Sequence, residues 1–130
     1  MGYVREKMNS IEDIRTYMGG DNRNVPVHQP AVDHLQYLMD KCKENNLPLP
    51  EIFPWIGGNG VQAEWDYEND WYIEIDSSSK GISGFFLKDR KTEGYDDGIN
   101  CSFNDIRDAF LLVKVFLESV VKNNGCNLSS

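Results

Sequence analysis

Apolar and polar residues alternate along two neighbouring stretches of the chain. Val61, Ala63 and Trp65 are separated by Gln62 and Glu64, and Trp71, Ile73 and Ile75 by Tyr72 and Glu74. A repeat of two marks strands that bury one face, and residues 66–70 between them form a connection of hairpin length. With Trp65 facing Trp71 and Ala63 facing Ile73, one side of the hairpin is wholly apolar. A slip of one residue would set Trp65 against Tyr72 and bury Glu74, so the pattern constrains the register. A third strand is predicted over residues 82–88. Ile82 and Phe86 fall on one side and Phe85 and Leu87 on the other, which predicts cover on both faces. Residues 99–101 add a short fourth strand after the Asp97-Gly98 turn.

A different period appears on either side of this block. Val32, Leu35, Leu38, Met39 and Cys42 recur at helical spacing between Pro30 and Asn45, predicting a helix over about 31–45. A shorter helix is predicted over about 11–18, with Ser10 as its cap and Gly19-Gly20 as its stop. Toward the end, Phe103, Ile106, Phe110, Val113, Leu117 and Val120 predict a long helix over about 103–122 capped by Ser102. Leu111, Leu112, Val115, Phe116 and Val121 extend its apolar surface beyond one stripe. That helix is expected to lie between the sheet and the Val32 helix, or to supply a homodimer or partner interface. The segment LPLPEIFP at 47–54 holds three prolines and reads as an extended lead-in, not as an interior strand. The expected fold is a single α+β domain over 1–130. Its antiparallel meander of three to four strands, within about 52–101, is covered on one face by the N-terminal helical region and the long C-terminal helix. Residues 123–130 read as a disordered tail.

The remaining face of the central hairpin carries Gln62, Glu64 and Asp66 beside Tyr72, Glu74 and Asp76, with Tyr67, Glu68 and Asp70 at its tip. Such a strip serves either as a solvated face that discourages aggregation or as a docking surface for a basic partner. Over 130 residues the net charge is −8, which disfavours direct binding to nucleic acid or to an anionic membrane. Arg5, Glu6 and Lys7 interrupt any apolar leader, and Cys42, Cys101 and Cys126 contain no CxxC pair. These features predict free thiols and a cytoplasmic location.

Motifs for chemistry fail on inspection. Asp66, Glu68 and Asp70 imitate a calcium loop, but Trp71 stands where glycine is needed and Ser77 where glutamate is needed. The glycines at 57, 58 and 60 precede a strand instead of a helix, so no phosphate-binding loop is expected. Glu64 and Glu74 lack the apolar pocket that acid/base catalysis demands, and residues 77–79 lack a glycine elbow and an evident base. His34 reads as a packed or surface histidine because His28 offers no fixed partner for metal. No catalytic, metal or cofactor site is expected.

The order of helix, proline-bearing lead-in, Gly-Gly turn, Val61-Gln62-Ala63-Glu64-Trp65 and Tyr72-Ile73-Glu74-Ile75 resembles small uncharacterised bacterial proteins. It covers about residues 35–76. The resemblance implies an α+β fold and a bacterial or phage origin, and it carries no activity. By class-level analogy, small acidic domains of this kind act as antitoxins, immunity proteins or phage anti-defence inhibitors, including inhibitors of CRISPR systems. The expected function is therefore a non-enzymatic inhibitory binder of a basic protein or nucleoprotein, using Glu64, Asp66, Tyr67, Glu68, Asp70, Tyr72, Glu74 and Asp76. The alternatives are a small-ligand module with a pocket at Trp55, Trp65 and the last helix, or a metal-dependent enzyme.

Overall fold

The computed structural model describes residues 7–17, 27–55, 59–67, 70–88 and 97–124. Helices α1 (Ile11–Arg15) and α2 (Gln29–Glu44) precede strands β1 (Glu51–Trp55), β2 (Gly60–Asp66), β3 (Trp71–Ser78), β4 (Gly81–Lys88) and β5 (Ile99–Phe103), and α3 (Ile106–Asn124) follows. The five strands form one antiparallel sheet in the order β1-β2-β3-β4-β5, each paired with its sequence neighbour. The α+β meander is as expected, with β1 as an additional strand.

β1 corrects the reading of the proline segment. Pro54 lies within the strand opposite Val61, at the border of the sheet where a missing backbone donor need not interrupt a ladder. The border is closed further by Met8, whose N–H donates to the Ile52 carbonyl at 2.8 Å. Pro48 and Pro50 precede the strand.

The central register differs from the expected one by two residues. Trp65 pairs with Ile73, Ala63 with Ile75 and Asp66 with Tyr72. Side chains alternate with a period of two, so this shift leaves every apolar residue on its original face. The turn selects between the two registers. Tyr67 N–H donates to the Trp71 carbonyl at 3.2 Å and Asp70 N–H to the Tyr67 carbonyl at 3.1 Å, which extends the ladder to the Asp66–Tyr72 pair.

Val61, Ala63, Trp65, Ile73, Ile75, Ile82 and Phe86 form the buried face under the helices. α2 contributes Ala31, Val32, Leu35, Leu38 and Cys42, and α3 contributes Ile106, Phe110, Val113 and Leu117. Burial pushes the Cys42 thiol up to about 12. Tyr37 of α2 meets Phe110 of α3 edge-on, with ring centroids 6.4 Å apart. The two helices therefore lie side by side on one face, and α3 is not sandwiched between α2 and the sheet. α3 packs on β3, β4 and β5, while α2 packs on β2 and β3. Leu111 and Val115 remain exposed at 61% and 60%.

Local chemistry explains the helix boundaries. In α1, Ser10 Oγ accepts the Asp13 N–H at 3.2 Å, the expected cap. α2 starts at Gln29 with Pro30 in its first turn. Its end is shaped by Asn46 at φ 55° and by Leu47 N–H donating to the Cys42 carbonyl at 2.8 Å, a left-handed C-terminal turn. α3 begins three residues later than the apolar spacing suggested. Phe103 belongs to β5 opposite Ile82, and Asp105, not Ser102, caps the helix by accepting the Arg107 N–H at 2.9 Å. α3 reaches Asn124, so residues 123 and 124 are helical and not part of a tail. The expected Gly19-Gly20 stop, the turn at 57–58 and residues 125–130 lie outside the described residues.

Candidate functional site

The acidic hairpin face assembles in the structure, although much of it is less exposed than a solvated strip would be. The register sets Gln62 opposite Asp76, Glu64 opposite Glu74 and Asp66 opposite Tyr72. Asp66 is exposed, while Tyr67, Glu74 and Asp76 are half-buried. Glu64, Asp70 and Tyr72 are buried at 6%, 5% and 4% exposure. Glu68 lies outside the described residues.

Tyr72, expected on an open binding face, is buried instead. Its ring is buried, with the Phe85 ring 6.2 Å away, and Phe53 and Leu87 are also buried on this side of the sheet. The Tyr72 hydroxyl donates to Glu74 Oε1 at 2.6 Å and to Glu64 Oε2 at 2.9 Å. One proton therefore serves two carboxylates that sit directly across the ladder. Burial pushes the Tyr72 hydroxyl well above the usual phenol range, and the Glu74 and Glu64 carboxylates add to the effect. The hydroxyl remains a donor over the ordinary pH range and offsets a like-charge pair that the register forces together.

Asp70 also departs from its expected place on an open acidic tip. Its Oδ1 accepts the Trp71 N–H at 2.9 Å, so this carboxylate shapes the hairpin turn. The partly open part of the face is thus formed by Asp66, Glu74 and Asp76, resting on the buried Glu64–Tyr72 contact, whereas Tyr67, expected on this face, packs against the core on the helix side. Such an arrangement can accept hydrogen bonds from a guanidinium or ammonium group while the underlying sheet fixes its position.

A second polar contact was absent from the sequence reading. His34 Nδ1 lies 2.7 Å from Ser77 Oγ, across 43 residues of chain. The imidazole is the hydrogen-bonding base that Ser77 was expected to lack. Ser77 occupies the helix-facing side of β3 at 2% exposure, so the contact satisfies a buried hydroxyl and fastens the start of α2 to the sheet. A nucleophile would have to be reachable by substrate, which this hydroxyl is not.

Desolvation lowers the His34 pKa below 6.5, against opposing contributions from Asp33 and Asp105, with His28 lowering it slightly further. The unfolded chain therefore takes up the His34 proton more readily than the folded one. Stability from this group is complete above pH 6.5 and is lost as pH falls from there through the folded-state pKa. Thermal melts between about pH 5 and 8 should show this decline, and it should be reduced in His34→Gln. Identical pH profiles for the two proteins would contradict the assignment.

Among the described residues, clefts also lie away from this face. One of about 320 Å³ is lined by Asn45, Leu47, Glu118 and Val121 at the ends of α2 and α3. Another, of about 480 Å³, is lined by Lys80, Ser83, Ser102 and Asn104 beside the β3–β4 turn. Trp65 lines neither. It is 2% exposed and its indole N–H donates to the Pro48 carbonyl at 2.9 Å, which makes it a core residue tying the lead-in to β2. Among the described residues, no group of three or more His, Cys, Asp or Glu is placed to hold a metal ion. No described helix is long and apolar enough to cross a membrane. Comparisons with protein families, curated proteins and solved structures gave no match.

Proposed function

We propose that this chain is a non-enzymatic acidic binding protein whose hairpin face occupies a basic surface of another protein or of a nucleoprotein complex. The observation that supports this reading most directly is the strand register, which places Glu64, Asp66, Glu74 and Asp76 on one side of β2 and β3. Tyr72 holds two of these carboxylates in place, so less side-chain freedom is lost on docking than with four mobile acids. The overall charge of −8 would add long-range attraction toward a basic partner. An antitoxin, immunity or phage anti-defence role fits that chemistry, the partner being neutralised by coverage of its basic site.

The test is capture by tagged protein from a bacterial or phage-infected lysate at low and moderate salt, followed by kinetics with the captured protein. Asp66→Asn, Glu74→Gln and Asp76→Asn together should lower the association rate by roughly tenfold or more, with a smaller change in dissociation. An unchanged rate, or capture indifferent to salt, would overturn the acidic-face reading.

A further inference from the structure

We infer that two copies of this chain associate through β5, joining their sheets edge to edge. The two borders of the sheet are built differently. β1 contains Pro54, receives the Met8 bridge, and carries Glu51 in an ion pair with Lys7 at 3.1 Å. Proline, charge and cover are the usual means of keeping an edge from pairing with another strand. Among the described residues β5 has none of them. The strand Ile99–Phe103 contains no charged residue and no proline in a chain that is 26% charged. All five residues pair one-to-one with β4, so no bulge turns the edge aside. Among the described residues β5 pairs with β4 alone, and Ile99 is 50% exposed.

The occupant follows from the symmetry of the strand. In an antiparallel pair centred on Cys101, Ile99 of one copy lies opposite Phe103 of the other, Asn100 opposite Ser102, and Cys101 opposite itself. Apolar residues meet on the helix side and hydrogen-bonding residues meet on the other, as an isologous two-fold contact requires. Such a two-fold stands perpendicular to the sheet and keeps both helix layers on one face. α3 packs on β3, β4 and β5, so both α3 helices lie on the same face of the joined sheet. Uncharged strand meets uncharged strand, and the acidic positions on β2 and β3 remain away from the junction despite the charge of −8 on each copy. The inference is independent of the proposed partner binding.

Sedimentation equilibrium of the full chain decides the question, with crosslinking to locate the seam. The expected mass is twice 14.9 kDa, falling to 14.9 kDa for Ile99→Lys together with Asn100→Lys, both at exposed positions. Circular dichroism and a cooperative melt, lowered only by the loss of association, confirm that the variant is folded. In a Cys126→Ser background, a short bismaleimide should give a crosslinked dimer that is lost in Cys101→Ser, since Cys42 is buried. A monomeric wild-type chain, a dimer that survives the lysine substitutions in the folded variant, or a dimer without Cys101 crosslinking would overturn the inference.

Discussion

Phe86→Ala should cost about 3–5 kcal/mol of folding stability, the usual loss for a large aromatic removed from a closed core. Phe86 is fully buried in the middle of β4, paired with Ile73 on one side and Ile99 on the other. Its ring stacks on Phe116 of α3, with centroids 4.7 Å apart and planes 29° apart, and Phe116 also contacts Trp71 at 4.4 Å. The cavity would open where α3 meets the sheet, and neighbouring strands cannot move to fill it without breaking their ladders. Urea unfolding should show a lower midpoint at an unchanged slope, with Phe86→Leu losing less than alanine. A loss below about 1 kcal/mol would mean that the helix does not dock through this stack.

Tyr72→Phe should cost about 2–3 kcal/mol, far more than removal of a hydroxyl at an exposed position. The substitution keeps the ring beside Phe85 but takes away the donor shared by Glu64 and Glu74. The two carboxylates are direct cross-strand partners, so the lost hydrogen bonds are compounded by like-charge repulsion. Adding Glu74→Gln to Tyr72→Phe should restore part of the loss, whereas Glu74→Gln alone should not stabilise the wild-type chain. Additive effects of the two substitutions in a double-mutant cycle would rule out the shared-donor account.

The hydrophobic pattern carries the architecture because it reports which face each residue occupies. It identified the α2 stripe, the apolar face of the β2–β3 hairpin and the two-sided cover of β4, where Phe86 and Leu87 are both buried, but not the burial of Glu64 and Tyr72 on the hairpin's other face. It could not separate two registers that differ by two residues, since Trp65 remains on the buried face opposite either Trp71 or Ile73. The spacing of Phe103 to Ile106 suits a helix, yet its pairing with Ile82 places it in β5.

The polar contacts were less legible, for a related reason. Ser77 continues the buried parity of Trp71, Ile73 and Ile75, so a partner for its hydroxyl could be anticipated, but nothing local points to His34. Likewise, Tyr72, Glu64 and Glu74 share a face in any reading of the period. That the tyrosine would be buried and its hydroxyl held between the carboxylates depends on packing over the sheet, which alternation alone does not encode.

The order of elements has a consequence for synthesis. Every strand joins its predecessor, so the sheet can grow hairpin by hairpin as the chain leaves the ribosome. α2 has already emerged and can cover β2 and β3, but the side of β4 bearing Ile82 and Phe86 waits for α3. Until that helix arrives, the nascent chain presents an apolar half-sheet, its most aggregation-prone moment.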